Sequence, residues 1–183
     1  MLYSELQCSD AIHKAVERMG FAEMTEIQEK TIPVMMAGYD VIAKAPTGTG
    51  KTCAFGIPVA EHILPENKYP QAVIMAPTRE LAQQIAQELE ELTYFMPEMQ
   101  VACNMEKQAK RLAEGCQIVV ATPGRLMDHY KHHSIDISHV TQIVLDEADE
   151  MLNMGFYKDV RHIIELMKAR KSLSMFSATI SRE

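Results

Sequence analysis

Apolar residues along the chain fall into two patterns: short continuous runs, and longer segments in which they recur every three or four positions. The continuous runs are typical of strands buried on both faces, whereas the wider spacing is typical of amphipathic helices. Strands are therefore predicted at residues 41–43, 72–75, 100–103, 118–121, 143–145 and 173–176. A first helix is predicted to end at residue 20, and another is predicted to run from residue 51 to before residue 65. Further helices are predicted at residues 25–36, 80–93, 106–114, 124–130 and 160–167.

Alternating strands and helices predict an α/β fold with a mainly parallel sheet and helices on both faces. In such a fold, functional groups collect beyond the carboxyl ends of the strands. Residues at the helix starts support the boundaries. Ser9 or Asp10 can cap the first helix, and Thr25 followed by Gln28 forms a capping box at the second.

The composition is that of a single folded domain, and it does not identify a binding partner. The 183 residues can bury a sizeable core, and 47% of them are hydrophobic. The formal net charge of −7 does not indicate a nucleic-acid binder. Binding to RNA would therefore have to depend on a local surface and not on the overall charge. No apolar run approaches the roughly 20 residues that cross a bilayer.

Cysteine usage and the first residues predict a reducing compartment. Residues 1–10 lack the basic and apolar segments of a secretory signal. Reduced thiols and a cytoplasmic location are therefore expected. A structural zinc site is not expected, because no Cys-x-x-Cys pair occurs among the cysteines, which are Cys8, Cys53, Cys103 and Cys116.

A glycine-rich segment lies between the first predicted strand and a predicted helix. This context is typical of a phosphate-binding loop, because glycines let backbone N–H groups turn inward and a helix N-terminus attracts an anion. Lys51 would reach the β- and γ-phosphates, and the Thr52 hydroxyl would bind Mg²⁺. The alternative is a Gly/Thr turn that happens to precede a lysine; it leaves the order of strand, loop and helix unexplained. The residues are Ala45, Pro46, Thr47, Gly48, Thr49, Gly50, Lys51 and Thr52.

An acidic segment follows the predicted strand at residues 143–145. Asp146 can hold Mg²⁺ opposite Thr52, through water, because Mg²⁺ gives up its water shell reluctantly. Glu147 is then placed to orient and deprotonate the water that attacks the γ-phosphate. The alternative is an acid-rich helix N-terminus that is favourable for the helix dipole. The phosphate loop upstream favours the functional interpretation.

Polar segments follow other strands too, and together these motifs resemble a known family. Residues 146–149 read Asp-Glu-Ala-Asp, the signature of the DEAD-box RNA helicases, and the similarity extends from about residue 3 to residue 179. The resemblance implies a RecA-like P-loop NTPase domain that uses ATP and Mg²⁺. The other matching segments are the phosphate loop and residues 77–82, 122–125, 154–156 and 177–179.

The resemblance further implies that residues 1–28 contain an adenine-recognition element. By that resemblance, Gln28 reads the N6/N7 edge of adenine, Thr25 supports the loop and Tyr3 stacks on the base. Met24 stands where the family usually has proline, a departure that we expect to be tolerated. From the residues alone, Gln28 would be an ordinary exposed helix residue.

Two segments are implied by the resemblance to hold the RNA backbone. Hydroxyls, free N–H groups and an arginine at helix N-termini suit phosphates and 2′-hydroxyls rather than bases. Without the family, each segment could also be a helix cap with a solvated arginine. Asp149, Ser177 and Thr179 are implied to couple hydrolysis to strand separation, although a plain Ser/Thr turn would look the same. The RNA-binding residues would be Pro77, Thr78, Arg79, Thr122, Pro123, Gly124 and Arg125.

Two departures from the family pattern bear on function. The family usually has an RNA-contacting Gly-Gly pair after the third strand, whereas this sequence passes from Cys103 directly to Asn104 and is several residues short. Either that loop is absent or a segment of the natural sequence is missing there, and the abrupt end at residues 181–183 favours the second. Nothing in the sequence resembles the family's second domain with its arginine-rich motif. Because an arginine finger contributes on the order of 10³–10⁵ in rate, residues 1–183 alone are expected to bind nucleotide and to hydrolyse it poorly.

These observations predict that residues 1–183 form the N-terminal ATP-binding domain of a DEAD-box ATP-dependent RNA helicase. ATP, Mg²⁺ and the backbone of single-stranded RNA would be held between this domain and a second RecA-like domain, and hydrolysis would drive local duplex unwinding. The domain is expected to be monomeric and not to contact membranes. One alternative is an RNA clamp or scaffold without unwinding, which the intact acidic segment and phosphate loop disfavour. Another is a DNA-directed or protein-remodelling P-loop ATPase.

Overall fold

The structure, a computed structural model, describes residues 1–46, 48–103 and 113–179. Six strands form one sheet in the order β1-β6-β5-β2-β4-β3, and every described pair of neighbours is parallel. This arrangement confirms the predicted α/β fold. The strands are β1 (Ile42–Lys44), β2 (Ala72–Met75), β3 (Val101–Ala102), β4 (Ile118–Ala121), β5 (Gln142–Asp146) and β6 (Ser172–Ser177).

Side-chain caps mark the starts of the first two helices. The Ile12 amide donates to the Ser9 hydroxyl at 3.4 Å, and the Gln28 amide donates to the Thr25 hydroxyl at 3.4 Å, so both predicted caps are confirmed. The helices are α1 (Asp10–Arg18), α2 (Glu26–Met36), α3 (Lys51–Glu61), α4 (Arg79–Leu92), α5 (Pro123–Lys131), α6 (Ala148–Asn153) and α7 (Tyr157–Leu166).

The differences from the predicted elements are small. α5 begins at Pro123, one residue before the prediction, because proline is well suited to the first helical position. α6 and a 3₁₀ turn at Tyr3–Glu5 were not predicted, since each is too short to show a periodic pattern. Most of the predicted helix at residues 106–114, and the question of a missing segment next to Asn104, fall on residues 104–112, outside the described ranges.

The sheet separates two apolar clusters, one on each face. Ile74 of β2 belongs to the cluster with α1–α4, whereas its neighbour Val73 belongs to the cluster with α5–α7. This split follows from the alternation of side chains along a strand. It also explains why the strands are apolar throughout: both faces are covered.

Strand order brings the polar segments together at the carboxyl edge of the sheet. β6 lies between β1 and β5, with Lys44 opposite Ser177 and Phe176 opposite Asp146. β2 lies beside β4, with Met75 opposite Ala121. The segments that follow β1, β5 and β6 therefore form one group, and those that follow β2 and β4 form another.

Within the described ranges, no helix has the length and apolar character that a membrane crossing requires.

An aromatic pair packs α3 against β6 of the sheet, and this contact allows a test of the fold. The rings of Phe55 and Phe176 meet edge to face at 5.3 Å between centroids, and neither side chain is exposed. Phe176→Ala should lower the free energy of unfolding by about 3–5 kcal/mol, because it removes buried surface and leaves a cavity. Urea denaturation would measure this. Phe95→Ala, the same truncation on the surface, should cost less than about 1.5 kcal/mol; equal losses would contradict the assigned core.

Candidate functional site

The phosphate loop is shaped by glycines in the left-handed region. Gly48 has φ +85° and Gly50 has φ +77°, conformations that cost glycine little and other residues much. The Thr49 hydroxyl donates to the Pro46 carbonyl at 2.7 Å. α3 begins directly after Gly50, so the N–H groups of its first turn lack helical acceptors and point toward the loop. Thr47 lies outside the described residues.

Lys51 bridges the phosphate loop to the acidic segment. Its ammonium lies 3.2 Å from Asp146 Oδ1 and 3.3 Å from Glu147 Oε1. The Lys51 side chain is only 7% exposed, so its charge needs these partners. The structure thus joins the predicted lysine and both predicted carboxylates in one cluster.

The carboxylate of Asp146 is fully buried, and only one of its two oxygens has hydrogen-bond partners. Its Oδ1 contacts Lys51 and accepts the Glu147 amide at 2.9 Å, whereas its Oδ2 has no hydrogen-bond partner. Burial raises the pKa of Asp146, and the nearby Lys51 charge opposes that rise. A buried acceptor without a partner is unusual and costly. A free carboxylate oxygen of this kind fits the all-oxygen surroundings that Mg²⁺ prefers, and the hydroxyl of the buried Thr52, next to Lys51 in the chain, could supply another oxygen ligand.

Glu147 adopts a backbone conformation that is rare for a residue other than glycine. Its φ and ψ are both 50°, in the left-handed region, at a cost of about 1–3 kcal/mol. The turn lets the chain leave β5 and enter α6 while the Glu147 carboxylate stays next to Lys51. Its side chain remains 22% exposed, so it is open to solvent where Asp146 is not.

Gln28 links the adenine-recognition element to the phosphate loop. Its Nε2 donates to the Gly50 carbonyl at 3.0 Å, and its Oε1 accepts from the Thr25 amide at 3.0 Å and from the Tyr3 hydroxyl. A Cβ at Gly50 would lie 2.4 Å from Gln28 Nε2, so the close approach requires glycine there. Both lone pairs of the amide oxygen are used, which leaves Gln28 one N–H for a ligand.

A cavity of about 350 Å³ adjoins the phosphate loop, at the end of β1. Thr25 lines it, but Gln28 and Tyr3 do not; they are 3% and 5% exposed, and the Tyr3 ring packs 6.5 Å from that of Phe21. Sequence reasoning missed two lysines in the lining, although Lys44 directly precedes the loop and could have been noticed. The lining consists of Thr25, Glu26, Ile27, Lys30, Lys44, Ala45, Pro46 and Thr49.

The two predicted RNA-binding segments line one depression of about 350 Å³. Thr78 caps α4 by accepting the Leu81 amide at 3.2 Å, and Thr122 caps α5 by accepting the Arg125 amide at 3.4 Å. Arg125 lies 3.7 Å from Asp128. Asp128 and Cys103 were not predicted as part of this surface. The lining consists of Arg79, Ala82, Cys103, Ala121, Thr122, Gly124, Arg125 and Asp128.

The remaining members of these segments differ in exposure. Thr78 is exposed beside the depression, whereas Pro77 and Pro123 are buried. The two prolines therefore serve the turns into α4 and α5, and the polar groups around them are available for contact.

The predicted coupling residues are hydrogen-bonded to one another. The Thr179 hydroxyl and amide donate to Asp149 Oδ2 at 2.8 and 3.1 Å, and the Asp149 amide donates to the Ser177 hydroxyl at 3.2 Å. Partial burial alone would raise the pKa of Asp149, but the bonds from Thr179 outweigh it and lower that pKa. The start of α6 is thereby fastened to the end of β6.

Comparisons with known proteins agree on one family. Residues 25–183 match the family model described as "DEAD/DEAH box helicase". The ATP-dependent RNA helicase CshA of Limosilactobacillus reuteri is 46% identical over 100% of this chain, and CshA of Bacillus subtilis is 42% identical over 97%. The chain spans only 38% and 37% of the length of these two relatives.

Solved structures show the same relationship. A crystal structure of a DEAD box protein from Methanococcus jannaschii matches with a TM-score of 0.89 and 40% identity, over 100% of this chain and 51% of that one. A hypothetical ATP-dependent RNA helicase from Sulfolobus tokodaii matches with a TM-score of 0.85 and 38% identity, over 95% and 52%. The chain therefore belongs to the DEAD/DEAH box helicase family and has the RecA-like fold of its P-loop NTPase domains.

Proposed function

We propose that this chain is the N-terminal ATP-binding domain of a DEAD-box ATP-dependent RNA helicase, which acts with a second RecA-like domain. The observation that carries the proposal is the contact of Lys51 with Asp146 and Glu147 beside the phosphate loop. A buried lysine, an unsatisfied carboxylate and a solvent-accessible carboxylate are the groups that phosphoryl transfer to water requires. In this proposal the domain is monomeric, cytoplasmic and free of membrane contacts.

In the proposed ATP site, the triphosphate lies along the loop of Gly48–Gly50 and the first turn of α3. Lys51 binds the β- and γ-phosphates while it keeps both carboxylates in place. Thr52 and Asp146 would hold Mg²⁺, which would supply positive charge to the phosphate oxygens. Glu147 accepts a proton from the attacking water, a role that its partial exposure supports.

In the proposed RNA site, one strand lies along the depression between the starts of α4 and α5. Arg79 and Arg125 contact phosphates, and the N-terminal amides and threonine hydroxyls of the two helices contact phosphates and 2′-hydroxyls. These groups read the backbone, so little base preference is expected. The Asp149–Thr179 contact then transmits changes at the acidic segment to β6 and to the second domain.

An RNA clamp that binds without unwinding remains the alternative, and one experiment separates the two. ATP hydrolysis is measured with and without single-stranded RNA, for the 183-residue chain and for a form joined to a second helicase domain. We expect turnover that RNA stimulates in the two-domain form and little in the single domain, because the second domain supplies an arginine finger. Tight ATP and RNA binding with no turnover in either would favour the clamp.

Glu147→Gln tests the proposed base. The amide keeps the size of the side chain but accepts a proton poorly, so ATP binding should persist while turnover in the two-domain form falls by at least about 10². Binding is followed with a fluorescent ATP analogue and turnover by phosphate release. Glu150→Gln, the same change on α6 beyond the cluster, is the control. Unchanged turnover in the Glu147 variant would remove it as the base.

Arg79→Ala and Arg125→Ala test the RNA surface. Each should weaken single-stranded RNA binding across sequences and reduce the salt dependence of binding by about one counterion, because each removes one phosphate contact. Titrations at several salt concentrations measure both effects. Arg161→Ala, which removes an exposed arginine from α7, should change neither. A uniform effect of all three substitutions would argue for non-specific charge alone.

Gln28→Ala separates adenine recognition from support of the loop. If the free N–H of Gln28 reads adenine, the variant loses its preference for ATP over GTP. If Gln28 acts only through the Gly50 carbonyl, both nucleotides weaken equally, by roughly three- to tenfold for one lost hydrogen bond. We expect the first result. Competition binding with both nucleotides distinguishes the two, and an unchanged variant would contradict both roles.

A further inference from the structure

The depression between the starts of α4 and α5 contains a carboxylate that phosphate binding does not explain. Asp128 lines it together with Arg79 and Arg125, and it is the one acid among the described residues of the lining. Its side chain is 61% exposed and can therefore meet a bound strand. Because phosphates are negatively charged, a carboxylate beside them is repulsive. A surface that bound only phosphates would bind them better without Asp128.

Local structure does not account for an acid at this position either. Asp128 lies in the second half of α5, where the helix dipole disfavours a negative charge. Its contact with Arg125 is an exposed pair three positions apart, and such pairs contribute little to stability. The two groups are 3.7 Å apart, which is longer than a hydrogen bond. Arg125 therefore attracts the carboxylate without occupying its acceptor positions.

Other acceptors in the depression are already used. The two arginine side chains only donate hydrogen bonds. The Thr122 hydroxyl accepts the Arg125 amide at 3.4 Å, and the carbonyls of Ala121 and Thr122 accept backbone amides at 3.1 and 3.0 Å. A carboxylate accepts more strongly than a neutral group. Asp128 is therefore the strongest acceptor that the described lining offers to a ligand.

We propose that Asp128 is a specificity-determining residue, which favours single-stranded RNA over DNA by accepting a hydrogen bond from a ribose 2′-hydroxyl. Both nucleic acids carry the same phosphates, so arginines and helix N-terminal amides bind either one, whereas only RNA has a 2′-hydroxyl to donate. Asp128 lies one turn after Arg125 on the same face of α5. One strand can therefore place a phosphate against Arg125 and the adjoining ribose against Asp128. This inference rests on the proposed function, because it requires a nucleic-acid strand in the depression.

The test compares affinities for oligonucleotides that differ only at the 2′ position. Fluorescein-labelled oligouridine, oligodeoxyuridine and 2′-fluoro-oligouridine of equal length are titrated with the 183-residue chain, and anisotropy gives each dissociation constant. Asp128→Ala should weaken binding of oligouridine roughly three- to tenfold, the effect of one hydrogen bond. Binding of the other two should stay equal or become stronger, because they have no 2′-hydroxyl to donate and the repulsion of their phosphates is removed.

Two further variants make the result specific. Asp128→Asn keeps an oxygen that accepts a hydrogen bond, so it should retain more of the preference for RNA than Asp128→Ala. Asp159→Ala removes an exposed carboxylate from α7, outside the lining of the depression, and should leave all three affinities unchanged.

The inference is overturned if Asp128→Ala leaves the ratio of RNA to DNA affinity unchanged. That outcome includes an equal loss of both affinities, which would mean that Asp128 only holds Arg125 in place. An Asp128→Asn variant that loses as much as Asp128→Ala, or a wild-type chain that binds all three oligonucleotides equally, would also overturn it and would leave the proposed arginine contacts standing. A wild-type chain that binds none of them would instead refute the proposed RNA site, and this inference with it.

Discussion

The buried ammonium of Lys51 constrains the whole carboxyl edge of the sheet. Its carboxylate partners follow β5, yet β6 lies between β1 and β5. The phosphate loop must therefore reach across the end of β6 to bring Lys51 to Asp146. The same crossing places Ser177, the last residue of β6, beneath the acidic segment, where it accepts the Asp149 amide. The phosphate loop, the acidic segment and the end of β6 thus form one network. The reason is that the charge of a buried lysine requires partners of opposite charge.

That network contains three costly features within the described residues. Glu147 occupies the left-handed region, and one buried carboxylate oxygen of Asp146 and one of Asp149 have no hydrogen-bond partner. Strain and an unsatisfied acceptor persist only where surrounding structure enforces them. Here the enforcing contacts are the Lys51 pair and the hydrogen bond from the Glu147 amide to Asp146. A divalent cation would supply positive charge to a cluster in which two carboxylates share one lysine, and it would give the free oxygen of Asp146 a partner.

Most of the fold could be predicted from sequence, because it depends on local signals. Strands 72–75 and 118–121 were predicted to the residue, since apolar runs between helices leave little choice of boundary. Family resemblance named the site residues but not their contacts. It could not show that the side-chain oxygen of Gln28 accepts hydrogen bonds from Thr25 and Tyr3, or that Tyr3 is buried.

The packing of α4 connects the two halves of the site. Its first residue, Arg79, lines the depression between the starts of α4 and α5. Its last turn packs against α3, because a Cβ at Gly56 would lie 2.9 Å from Leu92 Cδ1 and 3.0 Å from Leu89 Cδ2. One continuous helix thus joins the depression to the helix that begins at the phosphate loop and carries Lys51 and Thr52. In the proposed function, this contact gives a physical route by which RNA binding and nucleotide binding would affect each other.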